Sequence, residues 1–176
     1  MKPAISFKRE HEMEDMQETL ERILRSYSRY YRINRDDPAD PFLAEAAFDM
    51  HGEEYFLIKS AKISEMDSRE FVFFAGTPLL DENTLAGFDE KAWQTGMGRV
   101  DAKANHRNSD VVLIILAERF AQDIEKAVKK TRHYKSYWWG IHGWSNYKLV
   151  AYELSSGKTV SNRLGSDLKK LFAKPH

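Results

Sequence analysis

The sequence predicts an α+β domain: a mixed, mostly antiparallel sheet, built from a three-strand meander and a β-α-β-β unit, flanked by two long helices and one crossover helix. Three observations predict it. Residues 111–116 (Val-Val-Leu-Ile-Ile-Leu) are apolar without interruption and mostly β-branched, too few for a free helix, so they form a strand buried on both faces. After them the period changes: Phe120, Ile124, Ala127, Val128 and Thr131 recur three or four apart, an amphipathic helix over 118–131. Upstream, the strand-like runs 42–50, 55–63 and 70–75 are joined by connections so short that the chain must return antiparallel.

One domain over 1–176 is expected, with 1–9 a loose leading segment. Residues 10–33 form the first long helix. Met13, Met16, Leu20, Ile23, Leu24, Tyr27, Tyr30 and Tyr31 line one face, and its acidic start and arginine-rich end suit the helix dipole. The Asn, Asp and Pro residues of 34–41 end it in a loop. In the meander, Lys59 falls among apolar neighbours, either snorkelling from an edge or facing a site. Residues 81–105 form the second long helix, striped by Leu85, Phe88, Ala92, Val100 and Ala104; Gly96 and Gly98 either break it or let another part of the chain come close.

Downstream of the crossover helix, 137–141 read as a strand, with Tyr137, Trp139 and Ile141 on one face and Trp138 with His142 on the other. Residues 142–146 turn it into a strand over 148–154. A turn at 155–158, a short strand over 159–162 and a last helix over 167–173, capped by Ser166 and docking Leu168, Leu171 and Phe172, complete the chain. The strand over 111–116 is central, and its parallel pairing with 137–141 is allowed because the helix between them is long enough to cross over.

Hydrophobic residues make up 42% and charged residues 31%, a composition that buries a core and excludes a disordered chain. No cysteine is present, so disulfides, thiolate metal sites and cysteine nucleophiles are excluded. With no signal-like start and no long apolar run, a cytoplasmic protein without membrane contact is expected. The net charge of zero hides an asymmetry. Residues 1–110 hold 15 Lys and Arg against 22 Asp and Glu, net −7; residues 111–176 hold 12 against 5, net +7. The halves either complement each other or the basic one meets an anionic partner.

No strong catalytic or cofactor signature is present, and no cofactor or metal is expected. Ser156-Gly157-Lys158-Thr159 ends like a phosphate loop, but Tyr152 stands where that loop needs glycine and a strand pattern follows. None of the six histidines falls in a His-Glu-x-x-His or His-x-His arrangement. Glu118 lies at the end of a strand, where α/β sites form, but a glutamate beside a helix N-terminus explains it equally well.

The densest signal spans 126–148. Lys129, Lys130, Arg132, Lys135 and Lys148 surround Tyr134, Tyr137, Trp138, Trp139, Trp144 and Tyr147. Cations follow phosphates and aromatic faces stack on unpaired bases. Lys129, Lys130, Arg132, Lys135, Trp138, His142 and Trp144 are therefore the candidate ligand or partner residues.

The order helix, three-strand meander, helix, strand between residues 10 and 120 resembles the topology of the PD-(D/E)xK nucleases. That resemblance implies a metal-dependent nuclease using Asp49, Lys59 and Glu45. The chain departs from the motif: Leu57 stands two before Lys59, Ser60 two before Lys62, and Val72 where the third run would need lysine. Three functions fit these residues: a non-catalytic binding or assembly module self-associating as a homo-oligomer, a nucleic-acid or polyanion binder using 126–148, and a divergent nuclease.

Overall fold

An apolar run without a polar period must be covered on both faces, and every residue of 111–116 is 0% exposed. In a computed structural model describing residues 4–49, 67–100, 106–137, 139 and 143–173, this run is the middle of β4 (His106–Phe120). The other strands are β1 (Arg32–Asn34), β2 (Ala44–Asp49), β3 (Asp67–Leu80), β5 (Tyr134–Ser136), β6 (Trp144–Glu153) and β7 (Lys158–Ser161). They form one open seven-stranded sheet in the order β1-β2-β3-β4-β6-β5, with β7 also on β6. β4 is parallel to both neighbours, β3 and β6; every other pairing is antiparallel.

The helices are α1 (Ala4–Tyr27), α2 (Glu82–Arg99), α3 (Ile124–Lys130) and a closing 3-10 helix (Ser166–Phe172). Alternation along β4 divides the interior in two. Val111, Leu113, Ile115 and Ala117 face α2 and α3, meeting Leu85, Phe88, Ala92, Ile124 and Val128. Val112, Ile114 and Leu116 face α1 and the closing helix, meeting Leu20, Ile23, Leu24, Tyr27 and Phe172. Each fully buried Leu, Ile or Val contributes about 1.5–3 kcal/mol, so this one strand anchors both layers. The closing helix is tied to α1 and to β6: Arg22 Nη1 donates to the Leu171 carbonyl at 2.8 Å, and Phe172 stacks on Tyr152 of β6 at 4.5 Å.

Several sequence expectations are corrected. Residues 118–120 continue β4, paired with β3 as far as Leu80 opposite Phe120, and α3 starts only at Ile124, after Asp123 in a left-handed turn. Apolar spacing fits strand or helix there, and the pairing with β3 decides. Extended chain is found at Tyr134–Ser136; of the expected strand over 137–141, Trp138, Gly140 and Ile141 lie outside the described residues, Trp139 has φ 55°, in the left-handed and not the extended region, and the Tyr137 amide donates to the Gly143 carbonyl at 3.0 Å. Trp144 already lies in β6, which is the parallel partner of β4. β3 and β4 being parallel, α2 is a second crossover helix.

Within the meander, β2 pairs with β1 on one edge and β3 on the other, so the strand antiparallel to β3 is β2; the run 55–63 lies outside the described residues. α1 ends at Tyr27, and Ile33 belongs to β1. α2 ends at Arg99, short of the expected residue 105. Gly165, not Ser166, precedes the closing helix, and no side chain caps it.

α2 runs unbroken through both glycines. Gly96 lies against β4: a Cβ there would meet Val111 Cγ2 at 2.6 Å and Cγ1 at 2.9 Å, so rotating the valine brings no relief. A Cβ on Gly98 would meet nothing within 4 Å. Gly96→Ala should therefore destabilise the protein by about 1–3 kcal/mol through overpacking. Gly98→Ala should stabilise it by up to about 1 kcal/mol through helix propensity. Urea denaturation of the two variants checks the opposite signs.

Candidate functional site

β6 pairs with β4 along its entire length, Trp144 to Glu153. Its other edge is shared by two short strands. β5 takes Trp144, Ser145 and Asn146, and β7 takes Val150 to Glu153, leaving Tyr147, Lys148 and Leu149 without a strand partner on that side. Asn162, 4% exposed, closes the gap. Its Nδ2 donates to the carbonyls of Tyr147 (3.0 Å) and Thr131 (3.1 Å), and its Oδ1 accepts from the amides of Leu149 (3.1 Å) and Gly165 (2.8 Å). A side-chain amide has the two donors and two acceptor positions this requires. Gly165 is needed because a Cβ there would run into the Leu149 carbonyl.

A cleft of about 760 Å³ opens beside this gap. α3 turns Ile124 and Val128 inward, so Lys129 and Lys130 project from its last turn into the cleft, followed by Arg132. Arg163, next to Asn162, enters from the β7 side. None of these four cations forms an ion pair among the described residues. Elsewhere the pairing is extensive: Lys158 holds Glu125, Lys126 holds Asp123, and Arg99 holds Glu45. Lys129 feels the charge of Glu125 one turn earlier, but Lys158 has claimed that carboxylate. The C-terminal dipole of α3 favours two lysines in its last turn; it gives no account of Arg132 or Arg163.

His133 and Tyr147 also line the cleft. Both Asp89 oxygens lie 3.0 Å from His133 Nε2. The imidazole stacks on Trp93 at 5.0 Å and meets the Tyr147 ring edge-on at 4.9 Å. Burial, and after it the charge of Asp89, holds the Tyr147 phenol well above its ordinary pKa. Asp89 and Trp93 come from α2 and His133 from the exit of α3, so the cluster pins the two crossover helices together.

Of the candidate residues read from sequence, Lys129, Lys130 and Arg132 meet in the cleft. Lys135 is on β5, outside its lining, with Nζ 5.3 Å from the centre of the Tyr137 ring. Trp144 opens β6 and is 41% exposed. Trp138 and His142 lie outside the described residues. Asp89, Trp93, His133, Tyr147, Asn162 and Arg163 were not among the candidates. They come from separate stretches of the sequence, and no local pattern marks them as one site.

Of the three nuclease residues, only the Glu45 side chain lies among the described residues. Glu45 is buried and bound by Arg99 at 2.9 and 3.1 Å and by the Ala39 amide at 2.8 Å, while Lys59 and the Asp49 side chain lie outside them. No group of three or more His, Asp or Glu side chains there could hold a metal ion. Ser156 and Gly157 form the β6–β7 turn, Gly157 at φ 73°. Glu118 is buried near the end of β4. No described helix is long and apolar enough to cross a membrane.

A second polar cluster lies on the α1 face. Glu70, Asp110 and Asn146 are register partners across β3, β4 and β6. Lys148 Nζ reaches Asp110 at 2.6 Å and Glu70 at 3.5 Å; Tyr31 donates to Glu70 at 2.8 Å, and Asn146 donates to Asp110 at 3.3 Å. These groups satisfy one another and tie three strands together. Burial opposes the charge on Lys148, but Glu70 and Asp110 outweigh it and raise its pKa. Burial, then Glu70, raises Tyr27 and Tyr31 as well.

Tyr27, Tyr31, Tyr147 and Lys148 thus hold their protons more tightly folded than unfolded. The stability they contribute is complete below the ordinary tyrosine value of 10.0 and drains away as pH rises beyond it. Of the eight tyrosines, these three should ionise only as the chain unfolds, read as a tyrosinate absorbance step coincident with loss of circular dichroism. Asn162→Ala strands two buried amides and two carbonyls. It should cost about 3 kcal/mol or more in chemical denaturation and speed hydrogen exchange at the Leu149 amide.

No curated protein and no solved structure matches the chain. A family model described as Domain of unknown function (DUF8052) matches residues 15–174, and the chain belongs to that family.

Proposed function

We propose that the protein is a non-catalytic binding module that takes an anionic ligand in the cleft beside the β5–β7 gap. The observation that carries this is the convergence of Lys129, Lys130, Arg132 and Arg163 on one cavity whose lining, among the described residues, holds no carboxylate. Like charges gathered without counterions repel, and a bound anion relieves that repulsion. The four bonds of Asn162 hold the two cationic walls in place before any ligand arrives, which lowers the ordering entropy of binding.

Inorganic tripolyphosphate is a suitable probe. It should bind the full chain with an affinity that falls as salt rises, and Lys130→Glu combined with Arg163→Glu should weaken it at least tenfold without loss of fold. Calorimetry showing no binding at low salt would remove this function.

A second function is self-association. β5 is a three-residue edge strand, Trp139 beyond it is 99% exposed, and Tyr134 and Trp144 are largely exposed on the same flank. Exposed edges and aromatics are what interfaces between like copies use. Sedimentation giving a strict monomer over a hundredfold range of concentration would exclude it.

A further inference from the structure

We infer that the occupant of the cleft is a free nucleotide, its phosphates on Lys129, Lys130, Arg132 and Arg163 and its base against the ring of Tyr134. This rests on the anion-binding role above and specifies its ligand. Length is the first argument. The gap along β6 is three residues, Tyr147 to Leu149, closed by β5 at one end and β7 at the other. At about 3.3 Å per residue it spans about 10 Å, and Asn162 fills it, so the cleft opens beside a short interval and not along a continuous edge. The cleft volume, about 760 Å³, is that of a small-molecule site, typically about 300–1,000 Å³. A nucleic-acid strand needs a basic groove open at both ends along which phosphates repeat. Here the cations stand at the two sides of one short opening.

Chemistry on the wall is the second argument. Tyr134, at the β5 end of the gap, is 64% exposed, and among the described residues no aromatic ring stacks on it. A flat ring beside a cluster of phosphate-binding cations is what a nucleobase uses. Directly across the ladder is Asn146, also on the cleft wall. The phosphate grip owes nothing to a glycine-rich loop; side chains from the α3 exit and the β7 exit supply it.

Calorimetry on the full chain with ATP, tripolyphosphate and a ten-nucleotide deoxythymidine strand tests this. One ATP should bind per chain, about tenfold or more tightly than tripolyphosphate although it carries less charge, the gain of one stacked base. Tyr134→Ala should erase that advantage and leave tripolyphosphate binding unchanged, and Tyr134→Trp should restore it. ATP binding no tighter than tripolyphosphate, or an advantage that survives Tyr134→Ala, would overturn the nucleotide and leave the anion site standing. Tighter binding by the oligonucleotide would overturn it in favour of a strand. Absence of binding by every probe would sink both the ligand and the role it rests on.

Discussion

β4 is hydrogen-bonded on both edges to parallel neighbours, and from that constraint the rest of the molecule follows. Parallel strands cannot be joined by a turn, so the chain must leave the sheet and return twice, through α2 and then through α3. Both crossovers land on one face. The other face of the same apolar strand would be left wet, and α1 with the closing 3-10 helix covers it. A run of six apolar residues with no polar phase thus dictates three layers.

The cleft exists because the outer strands are too short to use up the edge of β6. Ten residues pair inward, whereas β5 and β7 together leave a three-residue interval on the outer side. Buried backbone groups there need partners. One asparagine provides them and, in doing so, fixes where the α3 exit and the β7 exit stand relative to each other. The Glu70–Asp110–Lys148 cluster on the opposite face shows the contrast. It is equally rich in titratable groups, but each is matched by a neighbour, and its chemistry is spent on holding strands in register.

Local signals were legible and distant ones were not. Residues 111–116 announce a buried strand because six neighbours share one property. Gly96 and Gly98 look alike in sequence, and only the approach of Val111 separates a required glycine from a dispensable one. Residues 118–120 carry a spacing that suits helix and strand alike, and pairing with β3 settled it. The aromatic residues Tyr137 and Trp139 suit a strand by propensity, but the backbone at Trp139 is left-handed. Part of the cleft was visible as closely spaced basic residues, Lys129, Lys130 and Arg132. The rest was hidden, because Asp89 and His133 stand 44 residues apart and no local pattern joins Arg163 to α3.

The bond between Arg22 and the Leu171 carbonyl joins residues separated by 149 positions. During vectorial synthesis α1 emerges early, yet the layer it belongs to is not closed until the segment around Phe172 has left the ribosome. For most of translation the greasy side of α1 and the facing side of β4 lack their last cover. The α1 face therefore needs residues as late as Phe172 to be complete, whereas the last buried member of the α2–α3 face is Val160.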